Sequence, residues 1–270
     1  MSLDKVNVLY WNCRGNDGEA YFQKAFFDIL KENYVDIFCL DEASADKIEF
    51  EKNIKASLPS FTFINQGKKN GRFGRLRVYS QLSRKSFKTK KKNSRYIDIC
   101  FKKRTNLCFV HFRSLYKTDV YEKLKNDEET ILDIYDSVLE KKFLIGDFNA
   151  SPFSTTMLDS RFLNTIRCGE EHFNIKRNDL NARKRINPSW SGFAENENGI
   201  YGTLPRNAAS LNNIGLQLFD QVVFDDGLQD RYVPRSFKII SQINGVNIFD
   251  DDFKSCLSDH LPIFFSFYNL

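Results

Sequence analysis

Two short polar segments in the second half of the chain carry the residue types that metal-assisted hydrolysis requires. Residues 146–149 read Gly-Asp-Phe-Asn and follow an apolar run, and residues 258–262 read Ser-Asp-His-Leu-Pro and precede another. Acid, amide and imidazole groups at the ends of rigid strands can be held within reach of one phosphate. The chain has only three histidines, and one of them lies in the second segment. Core packing alone poorly explains two such polar segments beside apolar runs.

Four further polar residues lie at the ends of apolar, strand-like runs. Asn12 follows the first run, Glu42 the second, His111 closes a later one, and Asp220 begins another. Each has an ordinary structural explanation when taken alone, because strand ends are often polar and a buried histidine can simply be hydrogen-bonded. Together with the two segments they exceed what chance loops would give, and they indicate one shared site.

The pattern of apolar residues predicts an α/β protein. Strands are expected at 6–11, 35–40, 61–65, 76–82, 96–101, 107–112, 142–146, 218–224, 237–240 and 263–267, with helices at 19–33, 45–58 and 119–140. Interspersed helices and mixed strands favour two facing sheets covered by helices. No linker divides the chain, so residues 1–270 are expected to form a single domain. A long polar excursion at about 168–215 is expected to run over its surface.

Positive charge is concentrated in residues 67–104, the basic segment. It holds fifteen Lys or Arg and a single acid, Asp98, although the net charge of the whole chain is only +5. Aromatic residues interleave with the basic ones, a composition that suits a groove for a phosphate backbone and its bases. Lys90, Lys91 and Lys92 are therefore candidate substrate-binding residues. The alternative is a solvated, self-repelling loop whose aromatic neighbours belong to the core.

Cysteine usage and hydropathy favour a cytoplasmic protein. None of the six cysteines forms a C-x-x-C pair, and four lie in or beside apolar runs, which is typical of buried free thiols rather than of a zinc site. No run approaches the roughly 18 apolar residues of a membrane span. The first residues show no basic region followed by a long apolar stretch, so no secretory signal is visible.

In chain order, the polar residues resemble the endonuclease/exonuclease/phosphatase family of metal-dependent phosphodiesterases. The resemblance runs through Trp11-Asn12-x-Arg14-Gly15, Glu42, Val110-His111, residues 146–149, Asp220 and residues 258–262. It implies a deoxyribonuclease-I-like, four-layer αββα sandwich, with two mixed sheets flanked by helices. It also places the site at one end of the two sheets.

The resemblance implies a divalent metal ion and a histidine that is held by an acid. Glu42 would be the main ligand of Mg²⁺, with Mn²⁺ as a substitute, and Asn12 and Asp259 would assist. His260, held by Asp220, would act on the attacking water or on a phosphate oxygen.

Further roles follow from the same resemblance. Asp147 would position the water or carry a proton, and Asn149 would donate hydrogen bonds to a non-bridging phosphate oxygen. His111 would stabilise the developing charge or protonate the leaving oxygen. Arg14 would either contact phosphate or pair with a neighbouring acid.

Two departures from the family pattern affect this assignment. Asp41 precedes Glu42 where many relatives have glutamine, which predicts a more acidic metal site. Arg14 and His111 are typical of the deoxyribonuclease and sphingomyelinase members rather than of the apurinic endonucleases. No acid in the sequence is an evident partner for His111.

The leading interpretation is a Mg²⁺-dependent nuclease in which water attacks a phosphodiester in line. The basic segment favours DNA or RNA as the partner, because phosphate contacts dominate such affinity. One alternative is a phosphatase or phosphodiesterase acting on a phosphorylated lipid headgroup or small metabolite, for which a basic surface would suit an anionic membrane. Another is a non-catalytic nucleic-acid-binding module.

Overall fold

The computed structural model describes residues 4–44, 46–66, 76–114, 119–135, 140–166, 184–190, 202–206, 215–248 and 257–269. The polar excursion expected at 168–215 lies mostly outside these residues, as does the beginning of the basic segment at 67–75. Within the described ranges, no helix has both the length and the apolar character needed to cross a membrane.

The first sheet has six strands, and its centre is the parallel pair formed by the first two strands of the chain. Their order across the sheet is β14 (Lys238–Ile239), β17 (Ile263–Asn269), β1 (Asp4–Asn12), β2 (Ile37–Asp41), β4 (Arg77–Ser80) and β3 (Thr62–Gln66). Strands β1 and β2 are parallel, whereas the other neighbours pair antiparallel.

The second sheet has seven strands and is also mixed. Their order is β5 (Phe87–Lys92), β6 (Tyr96–Phe101), β7 (Thr105–His111), β8 (Lys142–Asp147), β13 (Asp220–Asp225), β10 (Arg185–Ile186) and β9 (Thr165–Ile166). Two small hairpins complete the described strands: β11 (Leu204–Arg206) with β12 (Gly215–Gln217), and β15 (Gln242–Ile243) with β16 (Val246–Asn247). The parallel pair β7 and β8 lies near the middle of this sheet.

Aromatic side chains fill the space between the two sheets. The ring of Phe143 on β8 lies 5.6 Å from that of Phe265 and 5.5 Å from that of Phe267, both on β17. Such ring pairs add specific geometry to the burial of apolar surface. The two sheets therefore form a sandwich around one continuous core.

Helices cover the outer faces of the sandwich. The described α-helices are α1 (Ala20–Glu32), α2 (Lys47–Ser57), α3 (Val120–Ile134) and α4 (Thr155–Leu158). On the six-stranded side, Phe26 of α1 packs edge-on against Phe38 of β2, with ring centroids 5.0 Å apart. On the seven-stranded side, Ile131 and Ile134 of α3 belong to a second apolar cluster with Leu144 of β8. The expected four-layer α/β sandwich is confirmed.

Two elements differ from the sequence-based expectation. The third helix ends at Ile134 and not at 140, because Tyr135 turns to an extended backbone and its ring packs beneath the buried guanidinium of Arg185. Strand β5 is absent from the expected elements, since its sequence Phe-Lys-Thr-Lys-Lys-Lys shows no alternation of apolar residues. It forms the outer edge of the seven-stranded sheet, where lysines discourage pairing with another chain.

Candidate active site

The ends of two parallel strand pairs, one in each sheet, bring the candidate residues together. Asn12 is opposite Asp41 where β1 and β2 end, and His111 is opposite Asp147 where β7 and β8 end. Asp220 is also opposite Asp147, because it begins the antiparallel strand β13. Neighbouring strands lie about 4.8 Å apart, so these side chains are confined to one small region.

Tyr10 joins the two sheets within this region. Its hydroxyl donates a hydrogen bond to Asp41 Oδ2 and accepts one of 3.1 Å from the backbone nitrogen of Asp147. Burial raises the pKa of Tyr10 well above its ordinary value, with the nearby Asp41, Asp220 and Asp147 carboxylates adding to the effect. The phenol therefore stays neutral and serves as a fixed link between the sheets.

His260 is held by Asp220, with 2.7 Å between His260 Nδ1 and Asp220 Oδ2. Its backbone carbonyl accepts a hydrogen bond of 2.8 Å from Trp11 Nε1. Burial alone would lower the pKa of His260, but the charge of Asp220 and this hydrogen bond raise it to about 10. A carboxylate on Nδ1 fixes the orientation of the ring and leaves Nε2 for chemistry.

His111 has an acid partner that sequence reasoning missed. Its Nδ1 lies 2.7 Å from Asp41 Oδ2, whereas the nearest oxygens of Asp147 and Glu42 lie 3.9 Å from Nδ1 and 4.0 Å from Nε2, respectively. Burial opposes the charged ring, yet Asp41 raises the pKa of His111 to about 9. The sequence does show Asp41 as an additional acid directly before Glu42. Because it lies beside the expected metal ligand, the sequence assigns it to the metal site and not to His111.

Asp147 lies between the two histidines and is almost fully buried. Burial and the charge of Asp220 raise its pKa to about 6. Asn149 donates from its backbone to Asp147 Oδ1 at 2.7 Å and from its side-chain amide to Asp147 Oδ2 and the Phe112 carbonyl, both at 3.0 Å. Because the amide hydrogens of Asn149 have these partners, donation to a phosphate would require one of them to be replaced.

The expected metal ligands lie at the same edge but differ in their surroundings. Glu42 has a left-handed backbone with φ of 51°, and its side chain is 40% exposed. Asn12 is buried, and its Oδ1 accepts a hydrogen bond of 3.1 Å from the backbone nitrogen of Arg14. Arg14 in turn donates to Asp259 Oδ2, and its contact with phosphate stays a prediction.

The donor set at this edge fits a hard divalent cation. Asp259 Oδ1 is buried and has no hydrogen-bond partner among the described residues. A buried carboxylate oxygen in that state requires either a donor or a cation. Ligand atoms of Asp147, Asp220 and His260 also lie within 4.8 Å of one another. Glu42 and Asp259 offer carboxylate oxygens, which Mg²⁺ prefers, and they stay the predicted ligands.

The candidate lysines have partners within the protein. Lys90 Nζ lies 2.5 Å from Glu140 Oε1, Lys91 Nζ donates to the Asp133 carbonyl at 2.9 Å, and Lys92 Nζ donates to Asn65 Oδ1 at 2.9 Å. Another cation of the basic segment, Arg77, is buried and lies 3.4 Å from Asp17. The segment therefore displays less free positive charge than its sequence indicates.

Comparison with known proteins connects this geometry to a family. Residues 9–260 match the sequence model of the Endonuclease/Exonuclease/phosphatase family. No curated protein gives a significant match to the sequence. Solved structures with the same fold include D. rerio TDP2 complexed with a single strand DNA product, at 14% identity and a TM-score of 0.60, covering 98% of this chain and 100% of that one.

Two bacterial structures are similar to about the same degree. An endonuclease/exonuclease/phosphatase family protein from Leptotrichia buccalis has 14% identity and a TM-score of 0.56, covering 97% of this chain and 99% of that chain. A mannosyl-6-phosphatase from Bacteroides thetaiotaomicron has 14% identity and a TM-score of 0.59, covering 98% of this chain and 100% of that chain. At such identities the likeness concerns the fold alone.

Proposed function

Because this chain belongs to the endonuclease/exonuclease/phosphatase family, whose members hydrolyse phosphoric esters, we propose that it is a Mg²⁺-dependent phosphodiesterase that cleaves nucleic acid. The observation that carries the proposal is the approach of two carboxylate-held imidazoles to Asp147. His111 and His260 each have an acid at 2.7 Å on Nδ1, and Asp147 is opposite His111 on one side and opposite Asp220 on the other.

Each imidazole has a defined part in the proposed reaction. The acid on Nδ1 favours a positively charged ring, which stabilises negative charge on a phosphate that is undergoing attack. His260 would donate from Nε2 to a phosphate oxygen, and His111 would donate to the oxygen that leaves. Because Asp41 and Asp220 hold these rings rigidly, little reorganisation is needed when charge develops.

Asp147 would orient the attacking water and accept its proton. It lies in the same buried region as both rings, and burial makes its carboxylate a stronger base than an exposed one. Glu42, Asp259 and Asn12 would hold Mg²⁺, with Mn²⁺ as a substitute. When bound, the cation would neutralise charge on the phosphate and orient it for in-line attack.

Nucleic acid is the preferred substrate for two reasons. The basic segment supplies Lys90, Lys91 and Lys92 on the edge strand β5, and these lysines would exchange their internal partners for phosphates. The TDP2 structure, which has the same fold, contains a single strand DNA product. A second candidate is a phosphatase acting on a small phosphoester, and the mannosyl-6-phosphatase of equal structural similarity favours it.

A substrate panel tests the proposal directly. Single-stranded DNA, duplex DNA, RNA and mannose 6-phosphate would be incubated with the protein in Mg²⁺ and, separately, in EDTA. We expect metal-dependent cleavage of a nucleic acid and a loss of about 10²- to 10⁴-fold in His260→Ala. Hydrolysis confined to the sugar phosphate would favour the second candidate. If no ester were hydrolysed, a non-catalytic binding module would remain.

Charge reversal tests the nucleic-acid surface. The triple variant Lys90→Glu, Lys91→Glu, Lys92→Glu should weaken binding and make the salt dependence shallower, by about 0.7 in the log–log slope for each single-strand phosphate that is no longer neutralised. The matched control is Lys102→Glu with Lys103→Glu, since these exposed residues follow β6 at the opposite end from its start beside His111. Equal effects of the two variants would contradict a localised surface.

A further inference from the structure

Phe153 is a large apolar side chain that is exposed to solvent near the candidate site. The residue is 60% exposed, and it follows Asn149 by four positions. Its ring centroid lies 5.4 Å from that of Trp190, with 37° between the planes. Phe153 is exposed and Trp190 is half-buried, so the pair offers an apolar aromatic surface on which another ring can stack.

Gln221 ties both aromatic residues to the strand that holds the site. This buried side chain donates to the Ala150 carbonyl at 2.7 Å and accepts from Asn187 Nδ2 at 2.7 Å. Ala150 precedes Phe153 by three residues, and Asn187 precedes Trp190 by three. Gln221 directly follows Asp220, which holds His260. Its side chain therefore fixes the segments that lead to Phe153 and to Trp190 relative to the candidate site.

Further short contacts make the support rigid. Ser189 Oγ accepts from the backbone nitrogen of Val222 at 3.0 Å, and the backbone nitrogen of Ser189 donates to Asn187 Oδ1 at 3.0 Å. Trp190 is the last residue of the 3₁₀ turn Pro188–Trp190, which is hydrogen-bonded to β13 through Ser189. The four residues from Asn149 to Phe153 span at most about 14 Å when fully extended. The pair therefore lies within reach of nucleotides that flank a phosphate bound at the site.

We infer that Phe153 and Trp190 form a stacking platform for a nucleobase of single-stranded nucleic acid next to the scissile phosphate. The inference rests on the proposed function and specifies its substrate class. Bases within a duplex stack on one another, whereas an unpaired base offers its face to an aromatic ring. Stacking tolerates any base, because every base has a π-face, so the platform selects strandedness rather than sequence.

The first experiment separates base stacking from backbone contact. Wild-type protein in EDTA would be titrated with two fluorescent oligodeoxynucleotides of equal length, one with all its bases and one fully abasic. We expect Phe153→Ala to weaken binding of the base-bearing strand by about 5- to 100-fold, because stacking on an aromatic side chain contributes this range. Binding of the abasic strand should not change. Phe153→Tyr should retain wild-type affinity for both.

The matched control is Tyr34→Ala. Tyr34 is 79% exposed and lies before β2, at the opposite end of that strand from Glu42. This variant should bind both oligonucleotides as the wild type does. Turnover of methyl 4-nitrophenyl phosphate, which has no nucleobase, should be equal in Phe153→Ala and the wild type, and it reports whether the variant is folded.

Intrinsic fluorescence gives an independent readout. The chain has two tryptophans, and the other one, Trp11, is fully buried. Adding the base-bearing strand should quench tryptophan emission, and Trp190→Phe should remove this quenching while preserving affinity.

The outcomes distinguish a failure of the stacking platform from a failure of the proposed nuclease function. If Phe153→Ala binds the base-bearing strand as tightly as the wild type, or the wild type does not distinguish the two strands, the platform is wrong although cleavage of nucleic acid persists. If the wild type neither binds nor cleaves any nucleic acid, the platform and the proposed function are both overturned.

Discussion

Asp41 and Glu42 are adjacent acids that face different surroundings. Asp41 is buried, receives the Tyr10 hydroxyl and lies 2.7 Å from His111 Nδ1. Its other oxygen accepts the backbone nitrogen of Glu42 at 2.7 Å, and at Glu42 the backbone turns left-handed. This turn directs the second carboxylate towards the solvent side, where it is available to a cation. Of two consecutive acids, one therefore contacts a histidine and the other is left for the proposed metal ion.

Replacing Asp41 with asparagine should impair catalysis more than binding. The amide has no negative charge to favour the charged imidazole, so kcat should fall by about 10- to 1000-fold while KM changes little. Steady-state kinetics on the best substrate would measure both constants. The control is Asp36→Asn. Asp36 directly precedes β2, at the opposite end of that strand from Asp41, so this variant should retain wild-type kcat. A wild-type kcat in Asp41→Asn would exclude a positioning role for this carboxylate.

At the scale of strands, the close approach of β7 and β8 depends on one glycine. Gly146 has φ of 146°, and a Cβ placed there would lie 2.0 Å from the Val110 carbonyl oxygen. Gly146 is opposite Val110 in the sheet, and the next pair is His111 with Asp147. A side chain at 146 would therefore push apart the two strands at the point where they present the candidate catalytic groups.

Gly146→Ala should lower the free energy of unfolding by about 2 to 5 kcal/mol, from backbone strain and overpacking together. Urea unfolding followed by circular dichroism would measure the change. Gly245→Ala is the control, because Gly245 has φ of 75° but a Cβ placed there would meet nothing within 4 Å, so only about 1 kcal/mol of backbone strain is expected. Similar losses in both variants would show that the contact with Val110 is unimportant.

The candidate site could be predicted best from the sequence where polar residues lie at the ends of apolar, strand-like runs. Asn12, Glu42 and Asp147 follow apolar runs, so their common edge could be predicted before the sheet order was known. The link between His111 and Asp41 could not, because it joins residues 70 positions apart through the packing of one sheet on the other. Strand β5 escaped prediction for a related reason: its pairing with β6 outweighs a local sequence that reads as solvated loop.

Considered as a whole, the molecule assembles its site across the sandwich. Residues of β1 reach both sides: Tyr10 bonds to Asp147 of the seven-stranded sheet, and Trp11 bonds to the His260 carbonyl. Several acids are thereby confined to one end of the molecule, among them Asp41, Asp147 and Asp220. In the unfolded chain these acids are far apart, so a divalent cation should bind the folded state preferentially.

Mg²⁺ should consequently stabilise the entire fold. At a concentration one hundred times its dissociation constant, a ligand that binds only the folded state adds about 2.7 kcal/mol, which corresponds to a rise of roughly 5 to 10 °C in Tm for a chain of this size. Thermal unfolding would be followed in EDTA and in increasing Mg²⁺ or Mn²⁺. Glu42→Gln should abolish the rise, since it removes the expected main ligand. Glu49→Gln, an exposed acid on α2, should preserve it. A Tm that does not depend on either cation, or an equal rise in Glu42→Gln, would contradict the assignment of the metal to this edge of the sheets.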